Sequence, residues 1–181
     1  MREVAERRGT PGLQVSRIAL LALLFAAVPP HRPSALLAQD IGLAMGHVPP
    51  AATVQDTSGA PVDLAARYVA KKPVLFEFWA SWCEICESLL PKMEAAQRRF
   101  GSRVDFVVVG VGVNQSLNSM KRHLSRHPMP FSFYFDNAGA AVRSFEAPGT
   151  SYIVVLDTRG RVVYTGSGAD QDIDAAIRRA L

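Results

Sequence analysis

The chain has 181 residues, of which 49% are hydrophobic, and its 20 basic and 16 acidic side chains give a formal net charge of +4. This length predicts one domain of ordinary size rather than two. No basic run is interleaved with aromatic residues, so the composition gives no support to a nucleic-acid partner.

The first 38 residues have the pattern of a secretory signal peptide. A basic start is followed by an apolar run of 11 residues, Ile18–Val28, and then by two prolines. The run is shorter than the ~20 residues of a membrane-spanning helix, and small residues up to Ala38 offer a cleavage site before Gln39. We therefore expect residues 1–38 to be the leader of an exported, periplasmic protein and residues 39–181 to be its folded domain. An uncleaved membrane anchor and a disordered tail are the alternatives.

After a lead-in over residues 39–50, the first half of the domain predicts a hairpin, a strand, a helix and another strand. The turn-forming residues Asp56–Gly59 separate two short extended runs, as in a β-hairpin. The next run is almost wholly apolar, which favours a strand buried on both faces. The predicted bounds are 52–55 and 61–64 for the hairpin, 74–79 for the buried strand, 84–100 for the helix and 104–113 for the second strand.

The second half continues the alternation and closes with a hairpin and a helix. The predicted bounds are 116–126 for a helix, 131–135 for a strand, 140–145 for a short helix, 152–156 and 161–164 for a hairpin, and 170–181 for the last helix. Strands that alternate with helices before a terminal hairpin and helix predict an α/β domain of three layers with a mixed sheet. Within the first buried strand, we expect Phe76, Phe78 and Trp79 to be core residues.

The two cysteines, Cys83 and Cys86, stand where the first buried strand gives way to a helix. Unpaired N–H groups and the positive dipole end at a helix N-terminus stabilise a thiolate, which is the species that attacks disulfides. We therefore expect Cys83 to be an accessible, ionisable nucleophile. Cys86, one turn later, lies within reach to resolve a mixed disulfide.

Other interpretations of the cysteine pair remain open. A metal site could use His123 and His127, although 36 residues separate Cys86 from His123, against about 12–15 in a zinc finger. A purely structural disulfide would close so small a ring that it contributes little through loop entropy, and a buried, inert pair is the third reading. We expect both histidines, and His47, to lie on the surface and no metal to be bound.

Glu77 is an acid among the apolar residues of the first buried strand. Burying a carboxylate is costly unless it has a partner or a function. We interpret Glu77 as a buried proton acceptor for Cys86, with a pKa raised by desolvation. A solvated glutamate at a sheet edge is the alternative.

The segment Phe76–Cys86, followed by Pro91, resembles the active-site segment of thioredoxin, and Glu77 matches the buried acid of that family. Over residues 47–181 the chain is similar to the TlpA/ResA-like exported branch, which includes cytochrome c maturation thioredoxins. The resemblance implies a thioredoxin fold: a three-layer α/β/α domain with a central mixed β-sheet and an N-terminal β-hairpin. It also implies a thiol–disulfide oxidoreductase with Cys83, Cys86 and Glu77 as catalytic residues.

The chain departs from this family at two positions. Ile85 stands where the branch often has proline, and Ser151 occupies the slot of the family's cis-proline. A cis bond before a non-proline residue costs about 3–4 kcal/mol, so the Thr150–Ser151 bond is either trans or strained. By resemblance, Trp82, Thr150 and Ser151 are the expected substrate-binding residues, since this loop presents backbone groups to a substrate strand.

Glu77 and the nearby Glu84 disfavour the Cys83 thiolate, which makes the dithiol a better reductant. The expected reaction is the reduction of disulfides in exported proteins, including apocytochrome c, with recharging by a membrane-bound electron donor. No cofactor is expected, and we expect a monomer. A metal carrier or chaperone that uses both cysteines as ligands is the alternative function. Peroxide reduction would need Thr and Pro arranged around a lone cysteine, an arrangement that the sequence lacks.

Overall fold

The structure is a computed structural model that describes residues 42–68 and 72–181, so the predicted leader and the first residues of the lead-in lie outside the described residues. Twelve elements follow one another within these ranges. They are β1 Thr53–Gln55, β2 Pro61–Asp63, α1 Ala65–Tyr68, β3 Val74–Trp79, α2 Glu84–Phe100, β4 Asp105–Val111, α3 Leu117–Arg126, β5 Ser132–Asp136, α4 Ala140–Ser144, β6 Tyr152–Leu156, β7 Val162–Ser167 and α5 Ile173–Arg178.

The seven strands form one mixed sheet in the order β2-β1-β5-β4-β3-β6-β7. β3 runs parallel to β4, and β4 runs parallel to β5, while the remaining pairs are antiparallel. Every residue of β3 is buried, as its apolar run predicts for a strand covered on both faces. The predicted N-terminal hairpin is confirmed as the β1–β2 pair.

The two faces of β3 point to different helical layers. On one face, the rings of Phe76 and Phe78 lie 4.9 and 5.5 Å from the ring of Phe145, which ends α4, and Tyr68 of α1 contacts Phe76 at 6.3 Å. On the other face, Leu75 belongs to a buried cluster with residues of α2 and α5. Helices therefore cover both faces of the mixed sheet, and the predicted three-layer thioredoxin fold is confirmed.

The structure differs from the predicted elements at the short ones. The single turn α1 was not predicted; it follows Asp63, whose side chain accepts a hydrogen bond from the Ala65 N–H at 2.9 Å. The last helix is shorter than predicted, because Asp172 caps its N-terminus by accepting from the Ala175 N–H at 2.9 Å. Residues before this cap form a loop instead of helix.

The lead-in is bound to the domain rather than extended away from it. The Gly46 N–H donates to the Val162 carbonyl at 2.8 Å, and the Val162 N–H donates to the His47 carbonyl at 2.8 Å. The Leu43 N–H donates to the Tyr152 hydroxyl at 3.2 Å. These residues therefore fasten the chain before β1 to the sheet edge formed by β6 and β7. No helix in the described part of the chain is long and apolar enough to cross a bilayer.

Candidate active site

The candidate site begins at the N-terminus of α2, directly after β3. Cys83 is the N-cap residue, with extended backbone angles, and its Sγ accepts a hydrogen bond from the Cys86 N–H at 3.1 Å. The two sulfurs are joined in a disulfide, with the Cα atoms 5.3 Å apart. The Cys83 sulfur therefore stands at the positive end of α2, where a thiolate is stabilised after reduction.

The cysteines expose little surface of their own. Cys83 is 5% exposed and Cys86 1%, whereas their neighbours Trp82 and Ile85 are 47% and 50% exposed. We expected Cys83 to be accessible to solvent, and this expectation is wrong in extent. Cys83 is almost fully buried, because large apolar side chains flank the pair. The order of exposure still makes Cys83 the outer sulfur and Cys86 the inner one.

A groove of about 240 Å³ lies next to Trp82. The indole Nε1 of Trp82 donates to the carbonyl oxygen of Val113 at 2.9 Å, which fixes the ring at one side of the groove. The lining is almost entirely apolar, and consists of Trp82, Val111, Val113, Val142, Ala147, Pro148, Gly149 and Thr150. The structure thus brings together Trp82 and Thr150, two of the three expected substrate-binding residues.

Ser151, the third, is buried beside this groove. Its backbone lies in the left-handed region with φ of 60°, and no cis peptide bond occurs within the described residues. Its N–H donates to the Phe78 carbonyl at 2.8 Å, its carbonyl accepts from the Gln171 side chain at 3.1 Å, and its Oγ accepts from the Gly168 N–H at 3.2 Å. The Thr150–Ser151 bond is therefore trans, and Ser151 ties the loop that carries Thr150 to β3.

Glu77 lies in the middle of β3, opposite Val108 of β4 and Ile153 of β6. It is 3% exposed, and its Oε1 has no hydrogen-bond partner within the described part of the chain. Burial raises the pKa of Glu77 to about 8, and the negative charge of Glu87 adds to this shift. The expected burial is confirmed, the direction of the pKa shift agrees with the expectation, and the sheet-edge alternative is wrong.

His123 does not lie on the open surface, in contrast to His47 and His127, which are exposed as predicted. Its side chain is 15% exposed, and its ring lies 5.1 Å from that of Trp79. The surface prediction for His123 is wrong because α3 turns this residue towards the end of β3. Its Nε2 is 3.5 Å from Oε1 of Glu87, close enough for an ion pair but outside hydrogen-bond geometry.

Gln115 is a site residue that the sequence analysis missed. Its Oε1 accepts from the Ser81 N–H at 3.1 Å, and its Nε2 donates to the carbonyls of Val111 at 2.7 Å and Trp79 at 3.4 Å. One side chain thus ties the loop before Cys83 to the end of β4. A lone glutamine in a loop carries no sequence signal for this role.

Within residues 42–68 and 72–181, no group of three or more His, Cys, Asp and Glu side chains is placed to hold a metal ion. The structure does not gather His123 and His127 with the two cysteines into such a group.

The Redoxin family profile matches residues 44–180. ResA of Bacillus subtilis, a thiol–disulfide oxidoreductase, is 24% identical over 153 residues, which cover 84% of this chain and 83% of that protein. A thiol:disulfide interchange protein TxlA homolog of Synechocystis is 28% identical over 96 residues, and the chain spans about half of it, 52%.

Solved structures share the fold. A putative thiol:disulfide interchange protein DsbE from Chlorobium tepidum superimposes with a TM-score of 0.65 at 23% identity, covering 76% of this chain and 95% of that one. A putative thiol–disulfide oxidoreductase from Bacteroides vulgatus gives 0.66 at 21% identity, covering 77% and 98%. At these identities, the likeness establishes the thioredoxin fold.

Proposed function

Because the chain belongs to the Redoxin family, we propose that it is an exported enzyme that reduces disulfides in other extracytoplasmic proteins. It is a thiol–disulfide oxidoreductase of the ResA and DsbE type. The observation that carries the proposal is the Cys83–Cys86 disulfide at the N-terminus of α2, where the outer sulfur meets the positive end of the helix.

The proposed reaction proceeds in two exchange steps. In the reduced protein, the Cys83 thiolate attacks a substrate disulfide; a mixed disulfide forms, and one substrate sulfur leaves as a thiolate that takes a proton from water. The Cys86 thiol then loses its proton and attacks Sγ of Cys83, which closes the ring and releases the second substrate thiolate. Two electrons pass from the dithiol to the substrate.

Glu77 is the proposed base for the second step. A carboxylate whose pKa is near the working pH accepts a proton without being trapped in either form, and burial gives Glu77 a pKa of about 8. Glu77 and Cys86 are both buried, on β3 and on the α2 helix that packs over it. This arrangement supports a proton transfer inside the protein rather than to solvent.

Trp82 and Thr150 are the proposed substrate contacts, and Ser151 is proposed to act by holding the loop that carries Thr150. The groove that they line is apolar, so it suits a substrate segment with apolar side chains next to its cysteine. Exchange with a protein chain, rather than with a small polar disulfide, is the reaction that such a surface favours.

The reducing direction and the location rest on charge and on the leader. Glu84 and Glu87 both lie in the first turn of α2, where negative charge opposes the Cys83 thiolate and makes the dithiol a better electron donor. The basic start and apolar run of residues 1–38 support export to the periplasm. Apocytochrome c is a proposed substrate. A membrane-bound donor is the proposed source of electrons, and the proposed oligomeric state is the monomer.

Trapping tests the proposed function. In Cys86→Ser, the ring cannot close, so protein substrates should stay on Cys83 as mixed disulfides that are identified by mass spectrometry. Cys83→Ser is the matched control and should trap none. The wild type should also reduce insulin, and its potential should lie well below the about −120 mV of the oxidant DsbA. No trapped protein together with no insulin reduction would contradict the proposal.

A further inference from the structure

Two buried polar atoms near α2 share one acidic neighbour. Oε1 of Glu77 and Nε2 of His123 are the buried side-chain atoms without a hydrogen-bond partner within the described residues. Glu87 interacts with both of them: it is a cause of the raised pKa of Glu77, and its Oε1 lies 3.5 Å from His123 Nε2. Unpaired buried polar atoms are rare and call for an explanation.

Glu77 needs a route by which its proton can be transferred to solvent. Its side chain is 3% exposed, and with a pKa of about 8 it is mostly protonated at pH 7. It must therefore release a proton before it can accept that of Cys86. Glu87 has a side chain that is 48% exposed, and His123 has one that is 15% exposed, so a proton held by this pair has access to solvent.

We infer that Glu87 and His123 carry protons between the buried carboxyl group of Glu77 and solvent during disulfide exchange. Glu87 and His123 act through Glu77 and do not contact the substrate, so they are positioning residues and not catalytic residues. The inference rests on the proposed function of the cysteine pair, and adds the route by which its internal base is recharged.

The surroundings of His123 suit this role. Glu87 faces it from α2, and Arg126 belongs to its own helix. His127, which ends α3, packs against it with the ring centroids 4.8 Å apart and the rings tilted by 33°. Trp79 covers it from β3. Burial lowers the pKa of His123, while Glu87 opposes that shift. A neutral imidazole can take up a proton at one ring nitrogen and release one from the other.

Ellman's disulfide reagent separates the two exchange steps in a stopped-flow experiment on the reduced protein. Attack by Cys83 releases one coloured thiolate at a rate that depends on reagent concentration; ring closure by Cys86 releases a second at a rate that does not. His123→Gln and Glu87→Gln should slow the second phase about tenfold, less than loss of a direct base would. His123→Gln should leave the first phase within twofold, whereas Glu87→Gln also removes a negative charge that opposes the Cys83 thiolate and is therefore compared on the second phase alone. His47→Gln, an exposed histidine, should change neither.

Chemical rescue separates proton transfer from packing. In His123→Ala, added imidazole should restore the second phase, since a free base replaces the missing ring. A second phase within twofold of wild type in either glutamine variant, or slowing that imidazole does not relieve, would overturn the inference. A wild type that releases only one thiolate would contradict the proposed function itself, and the proton route would fall with it.

Discussion

The indole N–H of Trp82 donates to the carbonyl oxygen of Val113 at 2.9 Å. This bond joins the residue before Cys83 to the segment that follows β4. An exposed aromatic ring is thereby held as a wall of the apolar groove instead of rotating freely in solvent.

Trp82→Phe should therefore impair reduction of protein substrates selectively. The variant keeps an aromatic ring but loses the donor, and a hydrogen bond of about 1 kcal/mol corresponds to a roughly fivefold loss. Insulin reduction should fall by that factor, while the first phase with Ellman's reagent should change less than twofold. Val48→Ala, which alters an apolar residue 48% exposed outside the groove, should leave both rates unchanged. Equal losses with insulin and with the small reagent would argue against the groove.

Glu77→Gln should remove the plateau near pH 8 from the pH dependence of ring closure. In the wild type, the second-phase rate should rise with pH and level off above about pH 8, because the deprotonated carboxylate is the acceptor. If Glu77 is the direct base, the variant should close the ring about 10² more slowly. Its rate should no longer level off above about pH 8, because the proton of Cys86 must then pass directly to solvent. Glu94→Gln, a change of the same kind in the middle of α2, is the control. A wild-type profile retained by Glu77→Gln would remove Glu77 from the mechanism.

The same substitution should alter stability in a pH-dependent way. A carboxyl with a folded-state pKa of about 8, against a usual 4.5, binds its proton more tightly in the folded state. Below about pH 4.5 both states are protonated; as pH rises towards 8, the unfolded state gains from ionisation and stability falls. Glu77→Gln should thus gain about 3–5 kcal/mol over wild type between pH 4.5 and 8. Urea unfolding across this range measures it, and a constant difference would contradict burial of the carboxyl.

Gln115→Ala should loosen the loop before Cys83. It leaves the Ser81 N–H and the Val111 carbonyl without their partner, which costs about 1–3 kcal/mol where these groups stay buried. The urea midpoint should drop accordingly, and the first exchange phase should become faster because Cys83 is less enclosed. Asn118→Ala, at an exposed position of α3, should do neither.

Gly42→Ala and Gly46→Ala form a matched pair for the lead-in. Both glycines have left-handed backbone angles, with φ of 82° and 80°, so both variants incur the same backbone strain of about 1 kcal/mol. An added Cβ at Gly42 would overlap the Tyr152 hydroxyl, whereas the space around Gly46 is open. The Gly42 variant should be clearly less stable in thermal unfolding. Equal losses would show that the lead-in is not fastened at Tyr152.

The elements around the cysteines could be predicted from the sequence because their signals are strong and local. The apolar run of β3 and the helical spacing after Cys83 set the bounds of β3 and α2, which the structure reproduces at 74–79 and 84–100. Burial of Glu77 followed from its position among apolar residues. The resemblance to the thioredoxin active site rests on the same segment.

Relationships between distant elements could not be predicted in this way. The spacing of apolar residues around His123 predicts a helix but does not indicate on which face of the sheet that helix packs. The contact between His123 and Trp79 could therefore not be predicted. The hydrogen bonds of Gln115 join three segments that only the fold brings together. The lead-in carries no periodic pattern, and its attachment depends on backbone groups that any sequence possesses.

The sulfur of Cys83 is both half of the disulfide and the acceptor that caps α2. Reduction breaks the covalent bond but leaves a thiolate that can still accept the hydrogen bond from the Cys86 N–H. This hydrogen bond is then charge-assisted. Each electron pair gained or lost therefore alters the opening turn of a 17-residue helix. By reciprocity, any change that stabilises or destabilises the first turn of α2 also shifts the reduction potential of the cysteine pair.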